Sequence, residues 1–164
     1  MLSHLDPRAI AEALGYPAAA IGILIESTGI PFPGETMLIA AAAIAAVGHL
    51  DIRVVILFGA LGSTLGADIG YLIGRLGGRP VVERFGRFVH ISPARLTRAE
   101  MFFHFHGDKA VLAGRFVLGV RTWGSVLAGM SRMPFWRFQA FSAIGAVLWA
   151  SVMGTLGFEL GHNW

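Results

Sequence analysis

Residues 26–35 read ESTGIPFPGE, and this stretch decides how the chain folds. A continuous helix cannot run through it, because proline lacks a backbone N–H and glycine favours turns. The breaking residues are Pro31, Pro33 and Gly34. The apolar arm that follows, Thr36–Val47, has 12 residues; as a helix it would reach about 18 Å, which is too short for a hydrocarbon core of about 30 Å. Two short arms around this elbow predict a re-entrant helical hairpin over residues 16–50.

The composition around this hairpin is typical of a membrane protein. Of the 164 residues, 55% are apolar and only 14% are charged, whereas a soluble domain carries roughly 25% charged residues. The absence of cysteine excludes thiol catalysis, disulfides and Cys-ligated metal sites. We therefore expect one integral membrane domain over residues 1–164 with no cofactor. A nucleic-acid binder with a basic face is excluded.

Residues 51–75 predict a transmembrane helix. Asp51 is a suitable N-cap, and the segment Ile52–Gly74 has 23 residues, which is about 34 Å as a helix. Glycines recur at every fourth position and form one ridge for close helix packing; they are Gly62, Gly66, Gly70 and Gly74. A polar stripe lies on the opposite side and comprises Thr64, Asp68, Tyr71 and Arg75. In lipid, such a stripe requires a cavity or a polar partner.

The remaining segments repeat this plan. Residues 1–15 predict an interfacial amphipathic helix. The sequence GGRP (77–80) predicts the end of the first spanning helix, and residues 76–109 predict an amphipathic linker that contains a helix with Ser92 as its N-cap. Residues 110–131 have spanning length but contain two arginines and repeated glycines, with Gly119 as a hinge, so they predict a second re-entrant hairpin. Residues 132–160 predict a second transmembrane helix. The expected fold is all-α, with two inverted units that each comprise a re-entrant hairpin followed by a transmembrane helix.

The linker also predicts the orientation of the chain. Six of the 13 basic residues lie between Arg75 and Arg98, and only Glu83 offsets them there. A basic loop beside apolar segments is the positive-inside signal. We therefore expect the linker to lie in the cytoplasm.

Charged residues of opposite sign interrupt the two hairpins. Glu26 and Glu35 lie in the first hairpin, and Arg115 and Arg121 lie in the second. Near the bilayer centre each costs roughly 2.5–3.5 kcal/mol. One interpretation is a set of buried salt bridges that only join the hairpins, although apolar residues often stabilise a fold as well. The other is that the arginines bind a phosphate group while the glutamates, together with Asp68, exchange protons.

Other functions stay open at this point. The carboxylates alone could couple protons to cation transport, the chain could be a membrane lipid phosphatase, or it could be a structural scaffold. A phosphatase needs a nucleophile or a metal, but no serine has a visible His/Asp arrangement. His104 and His106 lie about 200° apart around a helix, so they cannot share a metal. We therefore expect a transporter, with no enzymatic activity and no metal.

Five motifs follow one another along residues 16–164. They are GIPFPGE (29–35) after Glu26, GADIGYLIGRLGG (66–78), HGDKAVLAGRFVLGVR (106–121), AGMSRMPFWRF (128–138) and GFELGHNW (157–164). Together they resemble the DedA family of membrane proteins, also called VTT-domain or SNARE-associated proteins. The chain departs from that family at Leu118, where members usually carry proline, and it stops at Trp164, where members commonly continue into a further apolar helix.

The resemblance implies two re-entrant hairpins and lipid transport that depends on the proton-motive force, in the bacterial cytoplasmic membrane. Its implied substrate is undecaprenyl phosphate, or a phospholipid as in eukaryotic relatives. The functional acidic and arginine positions of the family match Glu26, Glu35, Asp68, Arg115 and Arg121. The stop at Trp164 suggests a short or truncated form, which a homo-oligomer or a partner could complete.

Overall fold

The computed structural model describes residues 7–117 and 120–163, which form six α-helices and one short 3₁₀ helix. The α-helices are α1 (Pro7–Ser27), α2 (Gly34–Ala46), α3 (Ile52–Gly86), α4 (Pro93–Gly114), α5 (Val120–Met130) and α6 (Phe135–His162). The 3₁₀ helix, Arg87–Val89, joins α3 to α4. Within these described ranges, two segments are long and apolar enough to cross a membrane, Ile52–Arg84 and Phe135–His162. The predicted all-helical class and the two long apolar helices are confirmed.

Helices α1 and α2 form an antiparallel hairpin around the proline-rich elbow. The arms touch where Gly34 lies on the backbone of Gly22, with no room for a Cβ between them. Unlike the predicted division at residue 15, α1 is continuous from Pro7 to Ser27. Just after this position, the ring of Tyr16 packs on that of Phe58 in α3, with 5.7 Å between the ring centroids. Residues 7–15 therefore belong to the same helix as the first arm of the hairpin.

Helix α3 packs closely against two other helices through its glycines. It begins as predicted, because the Oδ1 of Asp51 accepts a hydrogen bond from the Arg53 N–H at 2.8 Å. A Cβ at Gly62 or Gly66 would collide with the backbone of α1, and a Cβ at Gly74 would collide with that of α5. The first half of α3 therefore lies against α1, and its second half lies against α5.

Helix α3 changes direction at Gly78, where the sequence GGRP predicts its end. Gly78 has φ 59° and ψ −162°, a conformation that is essentially restricted to glycine. Helical structure resumes after this break and continues to Gly86. The predicted linker of residues 76–109 is therefore helical over much of its length, and the part of α3 before the break extends two residues past the predicted boundary at residue 75.

A substitution at Gly78 tests whether this backbone conformation requires glycine. Gly78→Ala is expected to lower the free energy of unfolding by about 1–3 kcal/mol, because a Cβ strains this conformation. Gly86→Ala is the matched control, since Gly86 has φ −59° and an added Cβ would approach Ile91 no closer than 3.7 Å. Thermal unfolding in detergent, followed by tryptophan fluorescence, measures both variants. Equal melting temperatures for the two would contradict the assigned strain.

Helices α4 and α5 form the second helix–break–helix segment. Helix α4 begins at its predicted cap, where the Oγ of Ser92 accepts a hydrogen bond from the Arg95 N–H at 3.3 Å. It breaks at Gly107, which has φ 29°, and then continues to Gly114. The predicted hinge Gly119 and the neighbouring Leu118 lie outside the described residues.

The two hairpins contact opposite ends of α3. At its start, the Oη of Tyr16 in the first hairpin accepts a hydrogen bond from the Asp51 N–H at 2.8 Å. Towards the other end, before the break at Gly78, the Tyr71 hydroxyl donates to the Met133 carbonyl, just after α5, at 2.5 Å. The first hairpin therefore contacts the start of α3 and the second contacts its later part, and Arg121 of the second lies against Glu26 beside the first elbow.

Each hairpin packs around its own apolar core. One core joins α1 and α2 to the beginning of α3 and the second half of α6. The other joins α4 and α5 to the later part of α3 and the beginning of α6. Two fully buried serines, Ser63 on α3 and Ser142 on α6, lie along their helices between the two sets of apolar residues. A polar layer therefore separates the cores.

Candidate functional site

The two elbows meet in a buried ion cluster. Glu26 at the end of α1 and Glu35 in the first turn of α2 both pair with Arg121 on α5. The Nη2 atom of Arg121 contacts the Oε1 of Glu26 and lies 3.3 Å from the Oε2 of Glu35. The side chain of Arg121 is 9% exposed, and that of Glu35 is 27% exposed. Three of the five predicted charged positions therefore form one cluster.

Glu26 also holds the first hairpin closed. Its Oε2 accepts a hydrogen bond from the backbone N–H of Glu35 at 2.9 Å. The residue at the N-cap position of α2, Pro33, makes no side-chain cap, and the first N–H groups of a helix lack partners within the helix. The Glu26 carboxylate therefore supplies the missing acceptor and places its charge at the positive end of α2.

Arg121 lies over an aromatic ring as well. Its guanidinium carbon is 4.4 Å from the ring centroid of Trp149, which is buried in α6. A guanidinium over an indole face is attracted by the ring quadrupole, and this attraction persists when one of its hydrogen-bond partners leaves. Arg121 is thus positioned by α1, α2 and α6 together.

Arg115 has different partners from Arg121, although the sequence predicts one role for both. It follows α4 directly, is 7% exposed, and donates to Ser63 on α3 and Ser142 on α6, each at 2.5 Å. Gly145 leaves room for it, because a Cβ there would lie 2.8 Å from its Cδ. Arg115 therefore joins the second elbow to the two long helices through hydroxyl groups.

Asp68 lies on the Arg115 side of the site. Its carboxylate is close enough to Arg115 for Coulombic attraction and lies against the side chain of Gln139. The Oδ1 of Asp68 and the Oε1 of Gln139 are both buried, and neither has a hydrogen-bond partner within the described part of the chain. The structure thus places Asp68 beside Arg115, which is the arginine outside the ion cluster.

A cavity of about 660 Å³ opens beside Arg121. Glu26 and Arg121 contribute to its wall, together with Arg95 from the beginning of α4. The rest of the wall is mainly apolar and comes from the first elbow, α4 and α5; it includes Pro31, Phe32, Leu96, Val120, Trp123 and Leu127. The cavity therefore offers guanidinium groups to an anion and apolar walls to a hydrocarbon chain.

Arg115 is absent from the described wall of this cavity. It lines a much smaller one, of about 20 Å³, between the two arginines. Serine hydroxyls also line this space, and they belong to Ser27, Ser125 and Ser142. Such a volume holds about one water molecule. In this conformation a ligand in the large cavity reaches Arg121 directly and reaches Arg115 only through the small polar space.

Several residues of the candidate site could not be recognised from the sequence. Arg95 counted only as part of a basic loop, and nothing in the sequence pattern marked Ser63, Ser142 or Gln139 as partners of charged groups. Trp149 is on the apolar face of a predicted spanning helix, where an aromatic residue is unremarkable. His104 and His106 lie away from the ion cluster, and the described residues contain no group of three His, Asp or Glu side chains that could hold a metal.

The family model of the VTT domain matches residues 32–159 of this chain. The chain belongs to the DedA (VTT-domain) family. The matched range contains every charged residue of the site except Glu26, which contacts it from the end of α1.

Three relatives of this DedA protein are named as a membrane protein, a transporter and an alkaline phosphatase-like protein. A Synechocystis protein named as an uncharacterized membrane protein is 36% identical over 153 residues, which cover 93% of this chain and 70% of the relative. Undecaprenyl phosphate transporter A of Bacillus subtilis is 31% identical over 151 residues, covering 92% of this chain and 74% of the relative. An alkaline phosphatase-like protein of Lactococcus lactis is 32% identical over 160 residues, covering 94% and 75%. No solved structure matches the chain significantly.

Proposed function

We propose that this protein transports a phosphate-headed lipid across the bacterial cytoplasmic membrane, with undecaprenyl phosphate as the first substrate to test. The observation that carries the proposal is Arg121, a guanidinium on the wall of a largely apolar cavity that is held by two carboxylates. A guanidinium binds phosphate oxygens through two parallel hydrogen bonds. The name of the Bacillus subtilis relative supports the same class of substrate.

The proposal includes two re-entrant hairpins that enter the membrane from opposite sides, with the basic linker in the cytoplasm. Contacts of the hairpins with opposite ends of α3 support this arrangement. So does helix length, since α2 has 13 residues and α5 has 11, about 20 Å and 17 Å, against about 30 Å of hydrocarbon. The elbows would then meet near the middle of the bilayer, where the transported headgroup must pass.

In the proposed mechanism, the lipid phosphate takes the place of the carboxylates at Arg121. The guanidinium stays over Trp149, while Glu26 and Glu35 lose their cation and take up protons. Return of Arg121 to the glutamates releases those protons and the phosphate together. Asp68 beside Arg115 would act in the same way at the second arginine. Proton uptake and lipid movement are thereby linked.

Transport in reconstituted vesicles tests the proposal. A polyprenyl phosphate with a fluorescent tail is expected to change leaflets at least tenfold faster with protein than without, and faster again when a proton gradient is imposed. The matched polyprenol, which has the same tail and no phosphate, should move no faster than in protein-free vesicles. Phosphate release is measured in the same samples, because one relative is named alkaline phosphatase-like.

Each other outcome identifies a different function. Equal acceleration of both lipids would show that the arginines do not select the headgroup. Cation-driven proton flux in vesicles without the polyprenyl phosphate, with no lipid movement, would favour cation transport by the carboxylates. Release of phosphate from the substrate would replace transport by hydrolysis. Any of these results overturns the proposed function.

A further inference from the structure

A second cavity, of about 500 Å³, lies between α4 and the turn that leads into α6. Its walls come from residues 103–109 and 131–137, and it shares no lining residue with the cavity beside Arg121. Two unusual backbone conformations shape it. Gly107 breaks α4, and Arg132 has φ 56°, which is uncommon for a residue other than glycine. The turn thus presents the Arg132 side chain at this cavity.

The cavity carries an excess of positive charge. Lys109, Arg132 and Arg137 line it, and Asp108 is the one carboxylate on its described wall. Asp108 pairs with Arg137 at 2.5 Å. Lys109 and Arg132 have neither an ion-pair nor a hydrogen-bond partner among the side chains that the structure describes. Two cations therefore remain available to an anion.

A neutral donor lies on the same wall. The Oγ of Ser131 is buried and has no hydrogen-bond partner within the described ranges. A buried hydroxyl without a partner loses the hydrogen bonds that it would make in water. An anion held by Lys109 and Arg132 would accept its hydrogen bond. Two cations and a hydroxyl are a typical donor set for a phosphate group.

Exposed aromatic side chains beside the cavity indicate that the phosphate belongs to a lipid headgroup and is not a free ion. Phe105 is 79% exposed and lines the cavity, and Trp136 is 81% exposed on the neighbouring first turn of α6. Both lie at the end of α3 where the hydroxyl of Tyr71 meets Met133, which is the end that continues into the basic linker. Aromatic rings beside cations are typical of the boundary between headgroups and acyl chains.

We propose that this cavity binds the phosphate of an anionic phospholipid at the membrane surface, separately from the transported lipid. Lys109, Arg132 and the Ser131 hydroxyl hold the phosphate, and Phe105 and Trp136 lie in the adjoining acyl region. The bound lipid would anchor the contact between α4 and the turn before α6 at the membrane surface.

Binding in detergent tests this site without any measurement of transport. Purified protein is titrated with dihexanoyl phosphatidic acid, with dihexanoyl phosphatidylcholine and with inorganic phosphate, and the rise in melting temperature gives the apparent affinity. Phosphatidic acid is expected to bind more tightly than either of the others. The double variant Lys109→Gln/Arg132→Gln should bind it about thirtyfold more weakly, since each surface cation contributes about a factor of five.

The matched control is Arg53→Gln/Arg98→Gln, which removes two exposed cations outside the cavity and should keep the affinity of the wild type. All the substituted side chains are exposed, so both variants should fold, and their melting temperatures without lipid check this. An unchanged affinity in the Lys109/Arg132 variant would overturn the proposal, as would an equal loss in both variants. Inorganic phosphate binding as tightly as phosphatidic acid would overturn the assignment to a lipid.

Discussion

Arg121→Ala is expected to melt about 10 °C below the wild type and to lose transport of the phosphate-headed lipid. The structural reason is that Glu26, which is 9% exposed, loses its cation, so its buried carboxylate must stay unpaired or take up a proton, and either one costs stability. Removing one partner of a buried ion pair costs about 3 kcal/mol or more, and at this chain length that corresponds to a fall of about 10 °C in the melting temperature. Arg53→Ala, at an exposed arginine on α3, is the control and should change neither property.

A second substitution separates the structural role of Arg121 from its proposed binding role. Arg121→Ala/Glu26→Gln removes both charges, and the amide oxygen at position 26 can still accept the hydrogen bond from the Glu35 N–H. We expect this double variant to regain most of the lost stability, because no unpaired buried carboxylate remains at Glu26. Transport should stay absent, because no guanidinium remains at this site to bind the phosphate.

The same pair of variants can refute the proposed function. If the ion cluster only joins the hairpins, transport should return in the double variant together with stability. Recovery of transport at a rate near that of the wild type would therefore show that Arg121 does not bind the lipid. Thermal unfolding and leaflet exchange are measured on the same purified samples, so loss of folding and loss of binding are distinguished.

Local features of the fold could be predicted because each depends on only a few neighbouring residues. The elbow at Pro31–Gly34, the caps at Asp51 and Ser92 and the break at Gly78 are all set by backbone chemistry within one or two turns. The boundary expected at residue 15 is absent from the structure, because distant residues decide it. Tyr16 is hydrogen-bonded to the Asp51 N–H and packed on Phe58, and these contacts hold the middle of α1 against α3 and the residue before it.

The partners of the charged side chains could be predicted only in part. Opposite charges on the two hairpins indicated that acids and arginines would meet, but the pattern gave Arg115 and Arg121 equal roles. The structure divides them, because Arg115 directly follows α4 and faces Ser63 and Ser142, whereas Arg121 is the second residue of α5 and contacts the first elbow. These serines are 52 and 27 residues from Arg115. Such separations leave no local signal in a single sequence.

The backbones of α3 and α5 pack closely, so a substitution at their contact is expected to cause a large loss of stability. Gly129 on α5 lies so close to α3 that an added Cβ would collide with the Tyr71 carbonyl and reach 2.9 Å from the Arg75 backbone nitrogen. Both are helix backbone atoms, so they cannot move aside as a flexible side chain can. Overpacking in a well-packed core usually costs 1–3 kcal/mol, and a collision with backbone is at the upper end of this range. Gly129→Ala is therefore expected to lose about 3 kcal/mol of stability.

Gly124→Ala, in the same helix, is the matched control for Gly129→Ala. An added Cβ at Gly124 would meet Phe103 at 3.5 Å and Val120 at 3.9 Å, which are ordinary contacts. Replacing glycine by alanine in a helix contributes up to about 1 kcal/mol, so this variant should be as stable as the wild type or slightly more stable. Thermal unfolding in detergent should separate the two variants by about 10 °C.

Lipid transport should fall in Gly129→Ala as well, because α5 carries Arg121 and its displacement from α3 would withdraw the guanidinium from Glu26 and Trp149. Equal stability of the two variants would mean that α3 and α5 do not pack as closely as the structure shows.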